Sequence, residues 1–252
     1  MLRHNPIGYL LSLAALCVAG CTADNTLIEP SYSLRALEAE AEPLSESLFP
    51  GDQAVMSNEA IAQILDSPVF IADQARLAVI RFGGMPRWWG WSDDFVRISQ
   101  EIDSDFLERL RGSPRLQKVA YLPSLVTPRH MTIPYLREAA VRFQSDQLLI
   151  YRTTTGTYTN RRLLGADEVR AYCTVEGILL DVRTGTISFS TVITEQFEAR
   201  KDRNDKNFEE TVAKASQQAI GRAWLRLAEQ TVAFLDEAPR APSAGAPALS
   251  PR

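Results

Sequence analysis

The sequence predicts an α/β (α+β) domain: a mixed β-sheet with an antiparallel hairpin, helices packed on it, and a long carboxyl-terminal helix. Three observations carry this expectation. Short apolar runs suited to strands alternate with amphipathic stretches of helical period between residues 57 and 152. Two long strand-like stretches meet at Arg183-Thr184-Gly185, a tight polar link with a glycine, which is a hairpin signal. Phe208, Val212, Ala215, Ala219, Ala223, Leu227 and Leu235 then lay one apolar stripe along a single helix.

Each element follows from its residues in turn. Ser57 to Leu65 suits a short helix with Ser57 as its cap. Arg76 to Phe82 is a β-rich apolar run ended by Gly83-Gly84. From Ser92 the positions Phe95, Ile98, Ile102, Phe106 and Leu110 mark an amphipathic helix, and Ser92, Asp93 and Asp94 suit its amino end. The acidic residues Glu101, Asp103, Asp105 and Glu108 lie mainly off that stripe and are expected to form a solvated face. Leu116 to Leu122 is a second strand closed by Pro123, and Thr132 is placed to cap a helix running through Phe143, with Pro134 tolerated in its first turn. Asp146 to Arg152 is a third strand, followed by hairpin strands Val169–Val182 and Thr186–Phe197. Alternation at Ile178, Leu180 and Val182, then Ile187, Phe189, Thr191 and Ile193, is expected to place these residues together on the core face.

The first residues carry a different message. A basic start gives way to the apolar run Tyr9 to Ala19, followed by Gly20-Cys21, which is the make-up of a secretory signal. The run falls short of the roughly 20 apolar residues that a spanning helix needs. Val18-Ala19-Gly20-Cys21 resembles the lipobox of bacterial lipoproteins. The resemblance implies cleavage between Gly20 and Cys21, with acyl chains attached to the cysteine. Small residues at Ala19 and Gly20 would fit a narrow protease cleft, and the thiol of Cys21 would be the nucleophile for lipid transfer. Thr22 follows where an aspartate would favour inner-membrane retention, so the resemblance implies an outer-membrane anchor with the domain facing the periplasm.

The expected organisation is a signal over residues 1–20, an acidic flexible tether over 21–56, one α/β domain over 57–237, and a disordered Pro/Ala-rich tail over 238–252. A net charge of −4 gives no reason to expect nucleic acid as partner. Of three cysteines, the resemblance implies that Cys17 leaves with the signal and that Cys21 carries lipid. Cys173 is left as a lone thiol in an alternating apolar stretch, expected to be buried and inert.

Catalytic patterns are missing. The sequence holds no Gly-x-Ser-x-Gly elbow, phosphate loop, His-Glu-x-x-His or Cys-x-x-Cys. His130, the only histidine beyond the signal, sits in a polar loop. No cofactor, metal or catalytic residue is therefore expected. The unusual segment is Gly83-Gly84-Met85-Pro86-Arg87-Trp88-Trp89-Gly90-Trp91, which gathers three of the four tryptophans in one strand-to-helix loop. Trp88, Trp89 and Trp91 could contact a partner, rest at a membrane interface, or fold back over the core. Tyr158 with Arg161 and Arg162 forms a second candidate, set against a solvated hairpin tip.

Ser145-Asp146-Gln147-Leu148-Leu149-Ile150 and Val175-Glu176-Gly177-Ile178-Leu179-Leu180-Asp181-Val182-Arg183-Thr184-Gly185-Thr186-Ile187 resemble the periplasmic lipoprotein domains of the curli-secretion (CsgG-like) type. That family shares its fold with the activator lipoprotein LpoB and the TolB amino-terminal domain. The resemblance spans about residues 75–235 by order of elements. It implies a membrane-anchored, non-catalytic domain that binds or scaffolds another envelope component, with a secretion-assembly subunit or an envelope enzyme as alternatives. For the pore form, the insertion Thr153 to Gly165 is short and carries adjacent arginines, where a membrane strand needs about 9–11 alternating residues.

Overall fold

Apolar strands in the middle of the chain decide where the sheet lies, and helices on each side decide which faces stay dry. The computed structural model describes residues 48, 57–66, 69–83, 93–160 and 167–240. Its elements are α1 (Asn58–Asp66), β1 (Ala75–Phe82), α2 (Asp93–Arg111), β2 (Leu116–Tyr121), α3 (Ile133–Arg142), β3 (Gln147–Asn160), β4 (Glu168–Asp181), β5 (Ile187–Arg200) and α4 (Phe208–Glu237). The fold is mixed α+β, with an open five-stranded sheet in the order β2-β1-β3-β4-β5. β1 lies parallel to both β2 and β3, while β3, β4 and β5 form an antiparallel ribbon.

The central strands are buried on both faces, as their unbroken apolar runs require. On one face α3 supplies Ile133, Leu136, Ala139 and Ala140 against Ala78, Ile80, Phe82, Leu148, Ile150, Leu180 and Val182. The other face is covered by α2 and α4. Phe95, Phe106 and Leu110 of α2 are buried there, with Ala215, Ala219, Ala223 and Leu227 of α4. The small residues of the α4 stripe let the helix lie close to the sheet. Gly177 of β4 completes the fit, because a Cβ there would stand 2.5 Å from Leu227 Cδ1.

Local chemistry fixes the ends. Ser57 Oγ accepts from the Ala60 N–H at 3.2 Å, so the serine caps α1 as its position suggests. Thr132 occupies the cap position of α3, but its side chain makes no cap hydrogen bond. At α4 the cap is Asn207, whose Oδ1 accepts from the Glu210 N–H at 2.9 Å. Glu210 reaches back past the cap to accept from the Lys206 N–H at 2.8 Å. The β4–β5 turn is held by Asp181, whose Oδ1 accepts from Thr184 N–H at 2.7 Å and from Thr184 Oγ1 at 2.9 Å. Gly185 then takes φ 78°, a region that disfavours side chains.

Three expectations need correction. The third strand does not stop at Arg152 but runs to Asn160, because β4 pairs with it residue by residue from Gln147↔Asp181 to Asn160↔Glu168. The hairpin residues expected on one face divide between two. Register pairs Leu179 with Phe189, Gly177 with Thr191 and Val175 with Ile193, so those β5 residues face α4. Ile178, Leu180 and Val182 face α3 instead, and a register irregularity at Leu179/Leu180 brings exposed Ile187 opposite Leu180. Asp103 is not simply solvated, since its Oδ1 accepts from the Tyr121 hydroxyl at 3.0 Å.

Beyond α4, Ala238 to Arg240 stay tied to the domain. Pro239 O accepts from the Ile71 N–H at 3.0 Å, and Ile71 bridges to Arg240. Buried Arg115 donates to Ala238 O at 3.1 Å and to Ile71 O at 2.8 Å.

Candidate functional site

Strand length creates the most distinctive surface. The ribbon strands β3, β4 and β5 each span 14 residues, whereas β1 spans 8 and β2 spans 6. The ribbon therefore continues alone beyond Phe82↔Arg152, the last rung between β1 and β3. One face of that extension is dry, because Val169, Ala171, Cys173 and Val175 are buried. The opposite face carries polar and aromatic side chains open to solvent.

Two rungs near the tip define a cleft of about 560 Å³ lined by Tyr158, Asn160, Glu168, Val169, Arg170, Glu198, Ala199 and Arg200. Register sets Tyr158 beside Arg170 and Arg170 beside Glu198; in the next rung Asn160 stands beside Glu168 and Glu168 beside Arg200. The charges cross, with Arg170 to Glu198 at 2.5 Å and Arg200 to Glu168 at 2.8 Å. A hydrogen bond with Tyr172, and then the charge of Glu198, hold the Arg170 guanidinium above its ordinary value. Arg152 to Glu176 at 2.6 Å and a Thr174–Thr194 hydroxyl contact at 2.9 Å continue the polar face inward. Exposed pairs of this kind contribute little stability, but they leave orientable donors and acceptors around an exposed tyrosine. This surface can hydrogen-bond and stack.

A second cluster lies inside, on the α2/α4 side, where β1 and β2 end. Phe106, Tyr151 and Trp224 pack with ring centroids 5.2–5.8 Å apart. Trp224 Nε1 donates to Thr153 Oγ1 at 3.0 Å, and the Arg81 guanidinium sits over the Trp224 ring at 5.3 Å. Burial raises the Tyr121 hydroxyl far above its usual value, and burial pushes that of Tyr151 up to about 12. The two hydroxyls lie 3.3 Å apart. The cluster is part of the core on the α2/α4 side.

Of the sequence-derived candidates, only Tyr158 falls on described residues, where it is 67% exposed at the cleft. Gly20 and Cys21, Trp88, Trp89 and Trp91, and Arg161 and Arg162 lie outside them. The polar partners of Tyr158 on β4 and β5 escaped the sequence reading, since only register brings residues 158, 170 and 198 together. His130 is exposed in the β2–α3 loop. Cys173 is fully buried, and burial pushes its thiol up to about 12. Among the described residues, no group of three His, Cys, Asp or Glu could hold a metal ion. No helix among them is long and apolar enough to cross a membrane.

No protein-family model matches the chain, and no curated protein matches it. Among solved structures it is similar to a hypothetical protein from Chlamydia trachomatis, 14% identical over 64% of this chain and 98% of that one, with a TM-score of 0.40. It is similar also to a minor lipoprotein from Acinetobacter baumannii, 12% identical over 67% and 98% of the two chains, with a TM-score of 0.36. A lipoprotein from Neisseria meningitidis is 12% identical over 59% and 99%, with a TM-score of 0.30. Likenesses at these scores leave the function to be argued from this chain's own residues.

Proposed function

We propose that the protein is a lipid-anchored domain of a bacterial cell envelope that binds another envelope component and performs no catalysis. The observation that carries this reading is the lipobox-like Val18-Ala19-Gly20-Cys21 behind a short apolar run. Acyl chains on Cys21 would hold the domain to the outer membrane from the periplasmic side. Stable anchoring takes more than one chain at about 0.8 kcal/mol per buried methylene, a condition that a multiply acylated cysteine meets.

The non-catalytic part is supported by chemistry. The only histidine outside the signal is exposed in a loop, and the only remaining thiol is buried and held in its protonated form. Binding is supported by the open ribbon face around Tyr158, where crossed ion pairs and an exposed ring offer polar and stacking contacts. The proposal extends the contact to Arg161 and Arg162, which follow β3 in the chain. It also includes Trp88, Trp89 and Trp91, in the loop between β1 and α2.

The experiment is cross-linking in the native envelope followed by pull-down, comparing the unchanged chain with Tyr158→Ala and with a Trp88→Ala, Trp89→Ala double variant. Both variants should remain folded by circular dichroism and capture less of the same partner. Undiminished capture by both would remove these surfaces from the proposal.

A further inference from the structure

Every open sheet has edges, and an edge strand offers unpaired N–H and C=O groups to any strand that can reach it. The two terminal edges of this sheet are guarded. On β2, only six residues long, Arg111 donates to the Val119 carbonyl at 3.4 Å. On β5, Arg222 donates to the Gln196 carbonyl at 3.1 Å, and Glu195, Glu198 and Arg200 charge the strand.

Among the described residues the third edge has no such guard. Beyond Arg152, β3 loses β1 as a neighbour and keeps only β4. Among the described residues the segment Thr153-Thr154-Thr155-Gly156-Thr157-Tyr158-Thr159-Asn160 therefore has no strand on its outer side. It holds no charge and no proline, its register with β4 has no irregularity, and Thr154 to Asn160 are all exposed. Among the described residues nothing hydrogen-bonds to the outer side of Thr154–Asn160.

Gly156 sharpens the point. Glycine weakens a strand interior, and its usual reasons are a bulge, a bend or a close approach by another backbone. There is no bulge here, φ is not in the left-handed region, and a Cβ would meet nothing within 4 Å. Nothing inside the described chain requires a glycine at this position.

We propose that Thr153–Thr159 pairs antiparallel with the same segment of a second copy of this chain, about a two-fold axis between the two Gly156 residues. The segment is complementary to itself in that register. Thr153 stands opposite Thr159, Thr154 opposite Tyr158, Thr155 opposite Thr157, and Gly156 opposite its own copy. Threonine pairs and threonine–aromatic pairs favour cross-strand contact, and no like charges meet. Because the interface presents the same patch from both chains, it closes as a dimer and does not extend into a fibre. The inference does not depend on the lipid anchor, and its hydrogen bonds run along the edge of the strand; Tyr158 is the one residue it shares with the partner surface.

Cross-linking through introduced cysteines in the full-length chain, in its native membrane, tests the register. Residues directly opposite in an antiparallel pair have Cα atoms about 4.5–5.5 Å apart, within disulfide reach. On mild copper-catalysed oxidation by oxygen, two Gly156→Cys thiols would each lose a proton and together give two electrons to the oxidant as the S–S bond forms. The expected result is a reducible dimer of twice the chain mass as the main product, above the level given by the unchanged chain. Thr154→Cys alone should stay monomeric, since its copies would lie four residues out of register, about 13 Å apart. Thr154→Cys combined with Tyr158→Cys should restore the dimer. Absence of a dimer from both Gly156→Cys and the double variant would overturn the proposal. So would cross-linking of Thr154→Cys as readily as Gly156→Cys, or an adduct of Gly156→Cys with a different protein as its main product.

Discussion

Gly177→Ala should destabilise the domain through one contact, and its size can be worked from the geometry. The added methyl carbon would stand 2.5 Å from Leu227 Cδ1 and 3.4–3.5 Å from Leu227 Cδ2 and Cγ. Carbon atoms rest about 3.5–4.0 Å apart, so the leucine tip must move by roughly an ångström. It has little room, because Leu227 is fully buried on the sheet-facing side of α4. Overpacking of this kind costs about 1–3 kcal/mol, offset by about 0.4–1 kcal/mol from the lower chain entropy of alanine in the unfolded state. The net loss should be about 1–2 kcal/mol, which for a domain of this size lowers the melting temperature by about 2–8 °C. Leu227→Ala alone should cost about 2–5 kcal/mol through the cavity it leaves. In the double variant the new methyl enters that cavity, so the combined loss should be smaller than the sum of the two. Thermal unfolding followed by circular dichroism measures all four corners of the cycle. A neutral Gly177→Ala, or strictly additive losses, would refute the claim that α4 touches the ribbon at Gly177.

Two more outcomes follow from titrating groups. Hydrogen bonds from the Arg76 side chain, helped by its N–H, hold the Asp146 carboxyl below its usual range. A depressed folded value means that the unfolded chain binds the proton first, so this stabilisation is present above about pH 4 and is lost as pH falls through the folded value. Asp146→Asn should therefore be less stable than the unchanged chain at neutral pH, with a gap that narrows in urea titrations below about pH 4; a gap independent of pH would contradict it. Cys173, buried with its thiol pushed up to about 12, should resist a thiol reagent such as dithionitrobenzoate at pH 8 until denaturant is added. Labelling of the folded chain at the rate of a free thiol would show that the ribbon core is open.

Much of the fold could be read from the sequence because local pattern and tertiary environment agree there. The α4 stripe from Phe208 to Leu235 lies on buried positions, and the Asp181–Gly185 turn closes the β4–β5 hairpin as its residues suggest. Pattern failed where long-range pairing decides. Thr153 to Asn160 has no apolar alternation and becomes a strand because β4 offers it a partner along its whole length. Ile178-Leu179-Leu180 is apolar at every position, so period alone could not say which residue faces which helix. Both faces are covered at that level, and register assigns Leu179 to one and Leu180 to the other. Asp103 and Arg115 were illegible for a similar reason, since their partners Tyr121, Ile71 and Ala238 come from distant parts of the chain. At the candidate surface, Tyr158 was visible as an exposed aromatic in a polar run. The arginine and glutamate that frame it were not, because crossed ion pairs between strands leave no mark in a linear sequence.

Lipid on the sulfur of Cys21 is what would tie this domain to a membrane. Cells producing the chain can be grown with an alkyne-bearing palmitate analogue, and the protein purified and treated with a fluorescent azide. The chain should take up the label, partition into the detergent phase, and lose both properties in Cys21→Ser. A chain that stays unlabelled while other lipoproteins in the same cells are marked would contradict it, as would label that persists in Cys21→Ser.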